Sequence, residues 1–281
     1  MNVSLDLSAS GIAAELRAAG CVYAEDEAAL LIEAALTPED LAGMVARRVS
    51  GLPLEPILGW AEFAGLRIGV DPDVFVPRRR TEFLVAQALD LARKSPDVPV
   101  LLDLCCGSGA VGAALATALA GERGGTTLYA ADIHPAAVAC ARRNLAALGA
   151  AVFEGDLFAP LPKSLRGRVT LLLVNAPYVP TGEIRLMPPE ARLHEPAVTL
   201  DGGPDGLDIQ RRVAAAAGRW LAPGGHLLVE TSERQAPALA AILAANGLRA
   251  RVASCGELDA TVVVGRLVGA AEAGTAAGSV H

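Results

Sequence analysis

The chain has 281 residues, 52% of them hydrophobic, and a formal net charge of −7. That length fits one large domain, or a small domain joined to a larger one. The acidic balance argues against a general nucleic-acid binder, which needs a basic face, and no uncharged apolar stretch is long enough to span a bilayer. Met1 to Ser10 lack a basic start followed by an apolar core, so no secretory signal is read there. Cys21, Cys105, Cys106, Cys140 and Cys255 are odd in number and contain no C-x-x-C, which suggests neither a zinc site nor a disulfide framework, but a reducing cytoplasm. The arginine clusters Arg47-Arg48, Arg78-Arg79-Arg80 and Arg142-Arg143 read as solvated faces.

Leu7 to Ser50 reads as helical, with Ile12, Leu16, Leu30, Leu31, Ala34 and Leu36 at helical spacing. Thr37-Pro38-Glu39-Asp40 has the form of an N-cap, a proline at the first helical position and first-turn acids. Residues 1–55 are therefore expected to form a small helical subdomain. Two short alternating runs between Ile57 and Val70, around Ala64-Gly65, predict a β-hairpin linker over residues 56–76. A helix is predicted to begin near Thr81-Glu82. From Val100 onward strands and helices alternate. Strands are expected at Val100 to Leu104, Thr127 to Ala131, Ala151 to Glu154, Thr170 to Val174 and His226 to Glu230. Helices are expected at Gly109 to Leu119, Pro135 to Leu148, Leu207 to Leu221 and Pro237 to Asn246. Arg249 to Ser254 and Thr261 to Leu267 complete the series as a candidate antiparallel edge pair. This order predicts a mostly parallel sheet with helices on both faces over residues 77–268. Residues 269–281, small and polar, are expected to be disordered.

The first strand of the alternating part runs into Asp103-Leu104-Cys105-Cys106-Gly107-Ser108-Gly109-Ala110-Val111-Gly112. Gly107 and Gly109 allow a sharp turn and close backbone approach to a ligand, at the carboxyl end of a strand where open α/β sheets bind ligands. Gly107 to Gly112 matches G-x-G-x-x-G, and Asp132-Ile133 follows where an acid can hold ribose hydroxyls. A dinucleotide oxidoreductase is thus one reading. Against it, Asp103 would repel a pyrophosphate but suits the amino group of an amino-acid ligand, and no Tyr-x-x-x-Lys set is present. S-adenosylmethionine fits better: ribose on Asp132, the amino-acid end on the Gly-rich turn, adenine near Asp156-Leu157-Phe158.

The apolar run Val169 to Val174 ends in Asn175-Ala176-Pro177-Tyr178. The Asn amide both donates and accepts, Pro177 restrains Ala176 to an extended conformation, and Tyr178 offers a flat wall. These four residues read either as a pocket for a planar NH₂ or N–H group or as a plain strand-to-loop turn.

Several segments, in order, resemble the HemK/PrmC-type protein-glutamine methyltransferases that modify peptide-chain release factors. They are Gly51-Leu52-Pro53-Leu54 with Ile57-Leu58-Gly59 and Glu62-Phe63, Val76-Pro77-Arg78-Arg79-Arg80-Thr81-Glu82, Asp103 to Gly109, and Glu195-Pro196-Ala197-Val198-Thr199-Leu200-Asp201-Gly202-Gly203-Pro204-Asp205-Gly206-Leu207. The resemblance implies the seven-stranded class I (Rossmann-like) methyltransferase sheet, with a helical N-terminal subdomain and a connecting hairpin. It implies S-adenosylmethionine as cofactor, bound by Asp103, Cys105, Cys106, Gly107, Ser108, Gly109, Asp132, Ile133, Asp156, Leu157 and Asn175, with no metal. Asn175 would hold the target amide, the Ala176 carbonyl would accept its second N–H, and Pro177 and Tyr178 would pack on its plane. Three positions depart from the family pattern. Ala176 stands for the first Pro of N-P-P-Y, Arg79 for the second Pro of I-P-R-P, and Cys105-Cys106 for a Gly-Thr pair. The expected partner is a release factor or another glutamine-bearing protein. Two alternatives stay open: a small aromatic acceptor such as an indole, and a non-catalytic cofactor-binding protein.

Overall fold

The computed structural model describes residues 6–95, 97–122, 125–187, 192 and 195–268; the tail expected at 269–281 lies outside them. Three helices open the chain, α1 (Ala9–Ala18), α2 (Ala24–Ala34) and α3 (Pro38–Val49). Ser8 caps α1 by accepting from Gly11 N, and Thr37 caps α3 by accepting from Asp40 N, with Pro38 in the first turn. They bury Ile12, Leu16, Leu31, Met44 and Val45 in a core of their own.

A short helix, α4 (Leu54–Leu58), follows. Ile57 and Leu58, read from sequence as the start of the hairpin, are helical, and the helix ends at Gly59 with φ 79°. Ile57 faces the helical core, a demand that overrides its β-branched preference. The hairpin is β1 (Trp60–Phe63) and β2 (Leu66–Gly69), antiparallel, turning at Ala64-Gly65.

The main sheet has seven strands: β3 (Val100–Leu104), β4 (Thr127–Asp132), β5 (Ala151–Glu154), β6 (Val169–Val174), β7 (Leu221–Thr231), β8 (Leu248–Cys255) and β9 (Ala260–Leu267). Their order is β5-β4-β3-β6-β7-β9-β8, with β9 antiparallel to both neighbours and the remaining pairs parallel. Helices α5 (Glu82–Lys94), α6 (Ala110–Ala120) and α7 (Pro135–Leu145) cover one face; α8 (Asp208–Ala217) and α9 (Ala236–Ala245) cover the other. The period of two along each strand divides the apolar runs between two cores. Leu101, Leu171, Leu173, Leu228, Val262 and Val264 pack under α5–α7, while Leu102, Leu104, Leu172, Val174, Leu227, Val229 and Val263 pack under α8 and α9. Burial on both faces is why these strands read as continuous apolar runs.

The helix expected over Leu207 to Leu221 is only Asp208–Ala217, and Leu221 already belongs to β7. Arg219 and Trp220 carbonyls accept from Gly167 and Val169 N–H groups, so pairing with the segment entering β6 captures the chain there. None of the five cysteines forms a disulfide. Among the described residues no helix is long and apolar enough to cross a membrane. The strand order reverses between β3 and β6, leaving a crevice outside their carboxyl ends.

Candidate active site

A cavity of about 600 Å³ opens at that crevice. Four adjacent strand ends each contribute a charged or polar group to its wall: Asp103 on β3, Asp132 on β4, Asn175 just past β6 and Glu230 on β7.

The turn after β3 is wound in the left-handed region at Cys105 (φ 55°), Gly107 (φ 55°) and Gly109 (φ 78°). A Cβ on Gly107 would meet nothing within 4 Å, so space for a ligand lies over that backbone, whereas a Cβ on Gly109 would press on Leu145 at 3.0 Å. A Cβ on Gly112 would lie 3.1 Å from Asp103 Oδ2. The third glycine therefore admits the buried carboxylate, which accepts from Gly112 N at 2.9 Å. Asp103 is 2% exposed. Burial, opposed by the Gly112 hydrogen bond and assisted by the nearby charge of Asp132, pushes its carboxyl up to about 7. Asp132 receives Gly107 N and His134 N, each at 2.9 Å, one on each oxygen. Both oxygens keep lone pairs for further donors. Burial and the neighbouring aspartates raise the Cys105 and Cys106 thiols, so neither is an activated nucleophile.

Ile133 lies at the cavity wall, 54% exposed. Leu157 (φ 49°) also lines it, as does Asp156, which is ion-paired with Arg212. Phe158 turns away into the core and stacks on Trp220, ring centroids 5.4 Å apart. Ser108 is buried, and its carbonyl accepts from Asn144 Nδ2 at 2.8 Å. The same Asn144 exchanges hydrogen bonds with Gly69 N and O, pinning the hairpin against the Gly-rich turn.

Asn175, Ala176, Pro177 and Tyr178 line the cavity at the end of β6, the strand paired with β3. Their backbone is held from behind. Gln210 Nε2 donates to the Pro177 carbonyl at 3.1 Å, and Gln235 Nε2 donates to the Tyr178 carbonyl at 2.9 Å. The segment Leu200 to Gly206 runs alongside, through Val179 N to Leu200 O and Gly202 N to Val179 O. A Cβ on Gly206 (φ 76°) would sit 2.2 Å from Tyr178 O, and one on Gly202 would sit 2.8 Å from Tyr178 Cα. Asn175 Nδ2 donates to Thr81 Oγ1 at 3.3 Å. Among the described residues, none donates to Asn175 Oδ1 or to the Ala176 carbonyl. Ala176 is 2% exposed and packs into the core, so its missing proline ring is a loss of packing behind the pocket.

The arginines do not form solvated faces throughout. Arg78 pairs with Glu195, and Arg80 Nε lies 3.4 Å from Glu230 Oε1, with its guanidinium 5.8 Å from the Tyr178 ring centre. Arg48 pairs with Glu27. These partners come from distant parts of the chain, so local charge runs did not reveal them. Thr81, Gln210, Glu230 and Gln235 are residues that sequence motifs missed as site components. The only signal for Thr81 was its place in the Val76 to Glu82 segment.

Residues 80–190 match the methyltransferase small domain family. A release factor glutamine methyltransferase of Geobacter sulfurreducens is 41% identical over 217 residues, covering 75% of this chain and 73% of that protein. The chain belongs to the release factor glutamine methyltransferase family. A 4-amino-L-phenylalanine/4-methylamino-L-phenylalanine methyltransferase of Streptomyces pristinaespiralis is 36% identical, over 72% of this chain and 69% of that protein. The crystal structure of a methyltransferase from Pyrococcus furiosus superposes with a TM-score of 0.51 at 15% identity, over 73% of this chain and 90% of that one, which shows the shared fold. Membership makes the chain a methyltransferase, and it accounts for the co-occurrence of segments noted above. In this chain the part of that run from Leu200 to Gly206 braces the Asn175 to Tyr178 wall.

Proposed function

We infer that the chain transfers a methyl group from S-adenosylmethionine to the side-chain amide nitrogen of a glutamine in a peptide-chain release factor. The observation that carries this reading is the single cavity shared by two sets of groups. One is the cradle of Asp103, Gly107 and Asp132; the other is the pair Asn175 Oδ1 and the Ala176 carbonyl, acceptors to which no described residue donates.

The cradle fits the cofactor. A buried carboxyl that no cation among the described residues pairs suits an ammonium group, the open side of Gly107 admits a ligand backbone, and the spare lone pairs of Asp132 suit a ribose diol. When bound, the cofactor supplies a methyl group already activated by its positive sulfur. The amide nitrogen is a weak nucleophile because its lone pair is delocalised. Asn175 Oδ1 and the Ala176 carbonyl would accept one N–H each, fix the amide plane, and stabilise positive charge growing on the nitrogen. Tyr178 and Pro177 would bound that plane. Alignment of this kind can offset ~7–11 kcal/mol of barrier. No side chain need take the proton before transfer, since it becomes acidic afterwards.

Asn175→Ala is expected to abolish turnover while leaving S-adenosylmethionine affinity, measured by calorimetry, largely intact; near-normal turnover would remove Asn175 from its role. Labelled methyl transfer to a release factor bearing its Gly-Gly-Gln loop tests the substrate. A second reading, an aromatic amine acceptor, is favoured by the likeness to the Streptomyces pristinaespiralis protein, and small aromatic amines belong in the same assay.

A further inference from the structure

In-line transfer requires the accepting nitrogen to approach opposite the positive sulfur, so the body of the acceptor leaves the site on the side away from the cofactor. The strand order fixes which side that is. Asp132, Asp103, Asn175 and Glu230 follow one another across β4, β3, β6 and β7. Asp132 and Asp103 belong to the proposed cofactor cradle, so an acceptor held on Asn175 extends towards β7. Val174 pairs with Val229, which sets Asn175 and Glu230 level with each other on neighbouring strands.

Arg80 lines that end of the cavity. It is carried by the turn Arg79–Thr81, one residue from the Thr81 hydroxyl that meets Asn175 Nδ2 at 3.3 Å. Two contacts hold its guanidinium: Nε lies 3.4 Å from Glu230 Oε1, and the group sits 5.8 Å from the Tyr178 ring centre. The Glu230 side chain is 3% exposed and that of Arg80 is 44% exposed, so the pair is rooted in the core and open at its cationic end. A guanidinium carries five N–H donors and no acceptor. An ion pair made through Nε and one ring face leave donors over, on a residue that lines the cavity. Such a planar fork is shaped for carbonyl or carboxylate oxygen. A glutamine in a protein carries its α-carbonyl a short saturated chain from the amide, and flanking glycines leave that main chain open to approach. A free amino acid presents the same oxygen as a carboxylate.

We propose that Arg80 is an acceptor-binding residue that donates to the α-carbonyl oxygen of the amino-acid unit bearing the target nitrogen. This rests on the reading of Asn175 as the residue that holds that nitrogen. Calorimetry on protein loaded with S-adenosylhomocysteine tests it with two ligands, a Gly-Gly-Gln peptide and a free aromatic amino acid carrying a ring amine. Arg80→Met keeps an apolar stem and removes the donors. Affinity for whichever ligand the wild type binds should fall about tenfold to a hundredfold, the scale of a hydrogen bond to a charged group, while S-adenosylmethionine affinity stays near wild type. Truncating Arg80 also strands Glu230, so Arg80→Met combined with Glu230→Gln separates the two causes; the loss should persist in the double variant. In turnover, KM should rise by more than kcat falls, as for a contact made equally in the ground and transition states. Unchanged affinity in Arg80→Met, recovery in the double variant, or binding of neither ligand to wild type would overturn the proposal. If the wild type binds and methylates the free amino acid and not the peptide, the glutamine reading fails, and the same loss in Arg80→Met still upholds the assignment of Arg80 through the carboxylate.

Discussion

At the scale of single residues, Asp103 shows how a site can oppose the stability of its own fold. Its carboxyl is held near 7, above the ordinary carboxylate range, with burial as the main cause. An acid raised in the folded state binds its proton more tightly there than in the unfolded chain. Its ionisation therefore weakens folding as pH rises from the unfolded value through about 7. Asp103→Asn keeps an acceptor for Gly112 N and removes that burden. It should unfold at higher temperature than wild type at pH 8, by at most about 4 kcal/mol on the scale of 1.36 kcal/mol per unit, and the gain should vanish near pH 4. A bound ammonium acts in the opposite sense by favouring the charged form. S-adenosylmethionine affinity should accordingly fall as pH drops below 7 in wild type. A calorimetric affinity flat from pH 5.5 to 8 would dissociate Asp103 from the ligand's amino group.

At the scale of elements, the wall formed by Asn175 to Tyr178 depends on the loop Leu200 to Gly206 packed against it. Gly206→Ala would place a methyl group against Tyr178 O and Gln235 Nε2 at a φ of 76°. The strained backbone and displaced hydrogen bonds predict a loss of about 2–4 kcal/mol in denaturant unfolding, with turnover falling further than stability alone explains. The sequence displayed both pieces. Covered by helices on both faces, β3 and β6 are apolar at all but one residue each, Asp103 and Thr170, which is why they could be bounded closely, and the Gly-rich turn and the Asn175 tetrad sit directly at their ends. It did not display their connection. Thr81, Gln210 and Gln235 reach the tetrad from 94, 33 and 57 residues away, and a single chain carries no local trace of such pairing. Ile57 and Leu58 were misread for the complementary reason: five helical residues between Pro53 and Gly59 are too few to show a helical period.

At the scale of the whole molecule, the N-terminal helices and the sheet keep separate apolar cores. Arg48 ties α3 to α2 through Glu27, with contacts of 2.6 and 3.1 Å between side chains only 11% and 12% exposed, and also reaches the Leu52 carbonyl. Removing one member of such a pair strands the other charge. Glu27→Ala should loosen the helical unit by about 3 kcal/mol, seen as faster amide exchange across α1–α3. S-adenosylmethionine affinity should be unchanged, because Asp103, Gly107 and Asp132, proposed above to hold it, lie on β3, the turn after it and β4. Coupled loss of both would show that the two cores unfold as one.

The antiparallel return of β9 has a consequence at the margin of the sheet. By inserting between β7 and β8 it leaves β8, eight residues long, as one outer strand, while the four-residue β5 is the other. A long outer strand offers unpaired amides and carbonyls to any neighbouring chain. β8 carries Arg249 and Arg251, both exposed, where two chains would have to meet. Like charges brought together would oppose such a pairing, so the arginines work as a guard against edge-to-edge polymerisation on the side of the sheet farthest from the Gly-rich turn.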